Sequence, residues 1–183
     1  GLLLALHVSS GIDINEGRVT PTSHSLTFFN TNNKTFTPVT NVTVIHSLSM
    51  LWSPDSQWLA FTGDQNQGLS VVNANSLMVQ KLIDSPTLVF PAWSPDSQQL
   101  AIASDGTISI WDVESQTIQE VTSRDYVSEP AWSGDGSLIA AIYQEASESG
   151  IVIVDPSSQI EEVFNNGVRG GKVIWSPVGE WLA

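Results

Sequence analysis

Pro91-Ala92-Trp93-Ser94-Pro95-Asp96-Ser97-Gln98-Gln99-Leu100-Ala101-Ile102-Ala103 reads as the end of an apolar strand, a tight turn and a second strand. Proline presets φ for the turn, and the Asp and Ser side chains bond back to neighbouring amides. The chain then turns again at Ser104-Asp105-Gly106 and runs through Thr107-Ile108-Ser109-Ile110-Trp111 as a third strand. A fourth, more polar segment, Thr117 to Thr122, completes the unit, and an outer edge is where polar and charged side chains belong.

The same pattern recurs along the chain. Trp52-Ser53-Pro54-Asp55-Ser56, Trp93-Ser94-Pro95-Asp96-Ser97, Trp132-Ser133-Gly134-Asp135-Gly136 and Trp175-Ser176-Pro177-Val178-Gly179 place their tryptophans 41, 39 and 43 residues apart. A second landmark keeps the same beat: Leu26 to Asn30, Leu69 to Asn73, Ile108 to Asp112 and Ile151 to Asp155, each an apolar run closed by Asn or Asp. Two separate motifs sharing one period define a repeat protein. A four-stranded meander of this size cannot cover both of its apolar faces, whereas sheets stacked around an axis cover each other. The expected fold is all-β, a propeller of four-stranded antiparallel blades. The small residues Ala60, Ala101, Ala103, Ala140 and Ala141 suit a crowded sheet centre, and the repeated tryptophan is expected to pack between adjacent blades.

The Trp-Ser-Pro-Asp-(Gly/Ser)-x-x-(Leu/Ile)-Ala pattern resembles the PD40 repeats of TolB-like propellers, and proline two residues before Trp93 and Trp132 strengthens the likeness. The unit from Ser94 to Ser115 is equally similar to a WD40 repeat, although the Gly-His dipeptide that precedes a WD40 inner strand is missing from every unit. The resemblance covers residues 42 to 183. It divides the chain into a blade with a longer insertion (1–41), three further blades (42–83, 84–122 and 123–164) and the start of another (165–183). The longer connection is Ser9 to Ser25, and Leu2 to Val8 is read as a second strand. About four blades are present. They are expected to be an arc of a larger ring with further blades of the same chain, the alternative being a closed ring of four.

Composition narrows the functions. With 41% hydrophobic and 14% charged residues the chain is globular, and no amphipathic helical stretch of three turns occurs. Nineteen acidic against six basic residues leave a formal charge of −13, which disfavours nucleic acid and anionic lipid as partners. Gly1 to Leu6 is too short to span a bilayer, so no membrane insertion is expected. Cysteine is absent, which removes disulfides and thiolate metal sites.

Catalysis needs converging groups, and none is signalled. His7, His24 and His46 form no His-x-His or His-Glu-x-x-His pair. No Gly-x-Ser-x-Gly elbow, P-loop or Gly-x-Gly-x-x-Gly occurs. Asp13 to Gly17 and Asp64 to Gly68 faintly suggest calcium loops but lack the third ligand and distal glutamate, so neither a metal nor a cofactor is expected. Asp55, Asp96 and Asp135 recur at a fixed turn, as do Asp112 and Asp155, and recurrence at the blade period marks structure, not a catalytic pair. The repeat motif residues Trp52, Pro54, Asp55, Trp93, Pro95, Asp96, Trp132, Asp135, Trp175 and Pro177 are accordingly read as structural.

Binding remains. Loops held by a rigid scaffold carry recognition, and the connections between blades here are Asp84-Ser85-Pro86, Ser123 to Tyr126 and Asn165 to Arg169. Arg124, Tyr126 and Arg169 are the candidate partner contacts, since Arg and Tyr anchor interfaces. The resemblance implies a non-enzymatic scaffold for a protein or peptide, in the bacterial periplasm or cell envelope. It equally fits the propeller domain of a prolyl-oligopeptidase-like serine peptidase, or a sensor module fused to a signalling domain.

Overall fold

The computed structural model describes residues 3–15, 18–40, 42, 49–62, 68–179 and 181–183, with side chains from residue 26 onward. His46 and residues 16–17 and 63–67 of the two calcium-like loops lie outside the described residues.

Every described element is a strand. The first sheet, in the order β1-β2-β3, comprises β1 (Leu3–Asn15), β2 (Arg18–Asn30) and β3 (Thr35–Pro38). The second comprises β4 (Met50–Trp52), β5 (Trp58–Thr62), β6 (Leu69–Asn73) and β7 (Val79–Ile83). β8 (Phe90–Trp93), β9 (Gln99–Ser104), β10 (Thr107–Asp112) and β11 (Ile118–Ser123) make the third. The fourth has β12 (Tyr126–Trp132), β13 (Ile139–Gln144), β14 (Ser149–Asp155) and β15 (Ile160–Asn165). Neighbours in sequence are neighbours in each sheet, so each is an antiparallel meander. This is the blade of a β-propeller.

One expectation changes. Ser9 to Ser25, read as a connection, is strand: β1 and β2 stay paired from Leu3↔Asn30 through Ser9↔His24 and Ile12↔Pro21 to Asn15↔Arg18. Ile12, Ile14, Val19, Thr20 and Thr22 are β-branched residues that suit a pleated surface, and the run extends the hairpin instead of looping away from it.

The chain forms two compact units, Gly1–Met50 with Ser56–Pro86, and Leu51–Asp55 with Thr87–Ala183. In the first, Leu26, Leu59, Ala60, Leu69, Val71 and Val72 are fully buried. In the second, the third and fourth sheets share one core: Ala101, Ala103 and Ile108 pack with Val127, Ile139, Ala141 and Tyr143. The alanines let the two sheets approach closely.

Trp132 belongs to that core, and its indole shows why the repeat needs tryptophan. Its Nε1–H donates to the carbonyl of Ala92, the residue just before Trp93, at 2.9 Å. Trp93 Nε1–H donates in the same way to Leu51, just before Trp52, at 3.1 Å. Trp175 Nε1–H donates to Ala131, just before Trp132, at 3.0 Å. Each indole thus tethers its strand to the innermost strand one period back, and a buried indole N–H is satisfied in the act.

The turns repeat with equal regularity. In each of three copies the motif serine hydroxyl bonds the motif aspartate: Ser53 to Asp55, Ser94 to Asp96 and Ser133 to Asp135, all at 2.6 Å. The serine also accepts the amide that opens the second strand, Gln99 at 2.9 Å and Leu138 at 3.0 Å. The last motif position lies at positive φ in all four copies, at Ser56, Ser97, Gly136 and Gly179, which explains its alternation between Ser and Gly. At the ends of β2, β6, β10 and β14, the closing Asn or Asp caps the next turn. Asn30, Asn73, Asp112 and Asp155 accept amides two or three residues on, while Lys34, Leu77, Gln116 and Gln159 take positive φ and donate back to their carbonyls.

Candidate functional site

In the third and fourth sheets the strands alternate in direction, which sorts the connections to two ends. The β11–β12 connection, Arg124 and Asp125, lies at one end with the β9–β10 turn. The β8–β9, β10–β11, β12–β13 and β14–β15 turns lie at the other.

At the first end, Asp105 and Gly106 take φ of 49° and 81°, the two positive values of a type I′ hairpin turn. That turn fixes the connection, because Arg124 N–H donates to Gly106 O at 2.7 Å. The Arg124 side chain then turns inward. Its guanidinium pairs with Glu161 and with Glu145 at 3.5 Å, and lies 5.7 Å from the centre of the Tyr143 ring. Glu161 is shared, accepting the Thr122 hydroxyl at 2.5 Å. The cluster holds one half-buried positive charge against two half-buried carboxylates and a ring face. It is a brace between the third and fourth sheets.

The three residues singled out from the sequence therefore differ. Arg124 is committed to Glu145 and Glu161, with its side chain 22% exposed. Tyr126, two residues later, is 42% exposed. Arg169 is exposed on the segment after β15, which is anchored by Gly167 N–H to Ser149 O at 2.9 Å. Among the described residues no hydrogen bond, ion pair or ring contact joins these three side chains. Sequence reasoning misses Glu145, Glu161 and Tyr143, because none sits in a repeated motif and only the fold brings them to Arg124. In the first unit, Ser85 of the Asp84-Ser85-Pro86 connection is buried, and Lys81 and Asp84 are ion-paired beside it.

The other end carries a groove of about 700 Å³ between the third and fourth sheets. Its lining is mostly polar, with Asp112 contributed by the third sheet and Asp155 by the fourth, and the edges of the buried Ile110 and Val121 and of half-buried Leu138 supply apolar surface. The Asp155 carboxyl is lowered to about 2 by the Ser157 and Ser158 hydroxyls and their amides. Asp112 is lowered in the same direction by the Ser115 amide and hydroxyl. The turn aspartates behave alike: Asp135 falls to about 2 through the Ser133 hydroxyl and then Ser137, and Asp96 is lowered by Ser94 and then Gln98. These carboxylates are held ionised as hydrogen-bond acceptors and are unsuited to proton transfer near neutrality. Among the described residues no three His, Cys, Asp or Glu side chains converge to hold a metal ion, and no helix is long and apolar enough to cross a membrane.

Residues 89–112 match the WD domain, G-beta repeat (WD40) family. No curated protein matches the chain by sequence. Among solved structures, TolB from Acinetobacter baumannii superposes with a TM-score of 0.64 at 15% identity, over 93% of this chain and 44% of that one. The β-propeller domain of the Trilobed protease from Pyrococcus furiosus gives a TM-score of 0.58 at 19% identity, over 84% of this chain and 50% of that one. Porphyromonas gingivalis dipeptidyl peptidase 4 gives 0.62 at 11% identity, over 86% of this chain and 30% of that one. The chain is a set of β-propeller blades: it shares its fold with these propellers, and one of its units, residues 89–112, is similar to a WD40 repeat. It spans about half the length, or less, of the structures it matches.

Proposed function

We propose that the chain is a non-enzymatic propeller scaffold that holds a protein or peptide at the end of its blades where successive sheets are connected. Tyr126 carries the reading. It is an exposed aromatic that opens β12, directly after a connection pinned to Gly106 through the Arg124 amide and braced through the Arg124 side chain by Glu145 and Glu161. An aromatic held on a rigid frame loses little freedom on binding, which favours it as an anchor. Exposed Arg169 supplies a second contact at the next connection. Likeness to TolB supports a place in the cell envelope, and the net charge argues against nucleic acid as the partner.

The test is selection of binding peptides from a displayed library on the intact chain, followed by affinity measurement on variants. Tyr126→Ala should weaken selected peptides about tenfold or more, and Arg169→Ala should weaken them less. Unchanged affinity in both variants refutes this assignment of the surface.

A second reading has its own support, the likeness to the peptidase structures from Pyrococcus and Porphyromonas. Here the blades belong to a prolyl-oligopeptidase-like enzyme and steer substrate to a catalytic domain. A Gly-x-Ser-x-Gly segment followed by Asp and His in the same reading frame would establish it.

A further inference from the structure

The caps that close β2, β6, β10 and β14 differ in one respect. In the first two sheets the cap is an amide, Asn30 and Asn73; in the third and fourth it is a carboxylate, Asp112 and Asp155. The capping bonds do not need the charge. Asn73 Oδ1 accepts the amides of Asn75 and Ser76, both at 3.0 Å, much as Asp155 Oδ1 accepts those of Ser157 at 2.8 Å and Ser158 at 3.3 Å. Asparagine therefore builds the same turn. The two carboxylates occur where the caps line the groove between the third and fourth sheets, and among the described residues neither forms an ion pair.

Two carboxylates fixed by their capping bonds, in a groove that also exposes apolar side chains, select a particular chemistry. An anion is repelled and a neutral apolar group leaves both carboxylates unmatched, whereas a hydrated metal ion gains nothing from Ile110, Val121 and Leu138. A flexible alkyl stem ending in a cation satisfies both parts. We propose that this groove receives the arginine or lysine side chain of a peptide partner, its stem lying on Ile110, Val121 and Leu138 and its charged head met by Asp112 and Asp155. The groove lies at the opposite end of the sheets from Tyr126 and does not depend on the reading given above for that end.

The experiment titrates the isotope-labelled chain with N-acetyl-arginine methylamide and follows amide shifts. The neutral isostere N-acetyl-citrulline methylamide and the free polyamine spermidine run in parallel. Shifts concentrated at Ser115, Ser137 and Ser157 with the arginine amide, and absent with citrulline, are the expected result. The Asp112→Asn/Asp155→Asn variant keeps its caps and its folded spectrum and should bind the arginine amide about tenfold more weakly. Equal response to citrulline, undiminished binding by the double variant, or shifts spread evenly over other acidic loops would overturn the proposal. Tighter binding of spermidine than of the arginine amide would assign the groove to a free polyamine and overturn the peptide assignment.

Discussion

Replacing Trp132 by phenylalanine tests the tether that gives the repeat its tryptophan. The indole is 8% exposed, lies in the shared core of the third and fourth sheets, and donates to Ala92 O at 2.9 Å. Losing that bond costs about 1 kcal/mol net. The smaller ring also withdraws roughly 40 Å² of apolar contact, about 1 kcal/mol at the usual coefficient. An Ala92 carbonyl left without a donor adds to both, so the expected loss is about 2–3 kcal/mol. Cooperativity in blade arrays is partly local, so hydrogen exchange is the appropriate assay. Amides of β13, in the same sheet as Trp132, should exchange roughly thirty- to a hundredfold faster, since about 1.4 kcal/mol is a factor of ten. Trp181→Phe is the control. That indole is 73% exposed, and its loss should stay within about 0.5 kcal/mol. If Trp132→Phe changed β13 exchange no more than Trp181→Phe does, the tether would be decorative and the account of the repeat mistaken.

Two further outcomes follow from the turns. Asp135 and Asp155 titrate near 2 in the folded chain against 3.8 for the free side chain, so the unfolded chain binds their protons first as pH falls. Their contribution is complete above about pH 5 and is lost as pH drops through 4 towards 2. Urea midpoints measured across that window should fall, and should fall less in Asp135→Asn/Asp155→Asn. Gly106→Ala drives a Cβ into the Arg124 carbonyl oxygen at a φ of 81°. It should destabilise by about 1–3 kcal/mol and loosen the Arg124 brace, read as faster exchange of the Arg124 amide.

Much of the fold is legible because its physics repeats. Trp-Ser-(Pro/Gly)-Asp encodes a strand end, an indole donor and a serine-aspartate turn in adjacent residues, and the structure realises these at Trp93 and Trp132 with the same bonds. The long hairpin of β1 and β2 escapes because it departs from the period; with no second copy to compare, Ser9 to Ser25 reads as a linker. The Arg124 brace escapes for a different reason. Its members come from β11, β13 and β15 or their connections, and nothing in local spacing aligns Glu145 with Glu161. Arg124 resembles a free contact because a lone cation in a connection carries no sign of its partners.

A repeat scaffold makes departures from its own pattern informative, because neighbouring copies show what the structure alone requires. Asn30 and Asn73 demonstrate that an amide suffices to form the capping bonds, so the geometry of the turn does not itself require a carboxylate at Asp112 and Asp155. At the last motif position the copies say the opposite. Ser56, Ser97, Gly136 and Gly179 all take positive φ, so their variation reflects two ways of meeting one backbone demand and carries no recognition. Residues that vary while the local bonds stay constant, at a position facing a groove, are therefore the ones to test for recognition. By that criterion Asp112 and Asp155 stand apart from the aspartates of the Ser-Pro-Asp and Ser-Gly-Asp turns, whose role is spent on the turn itself.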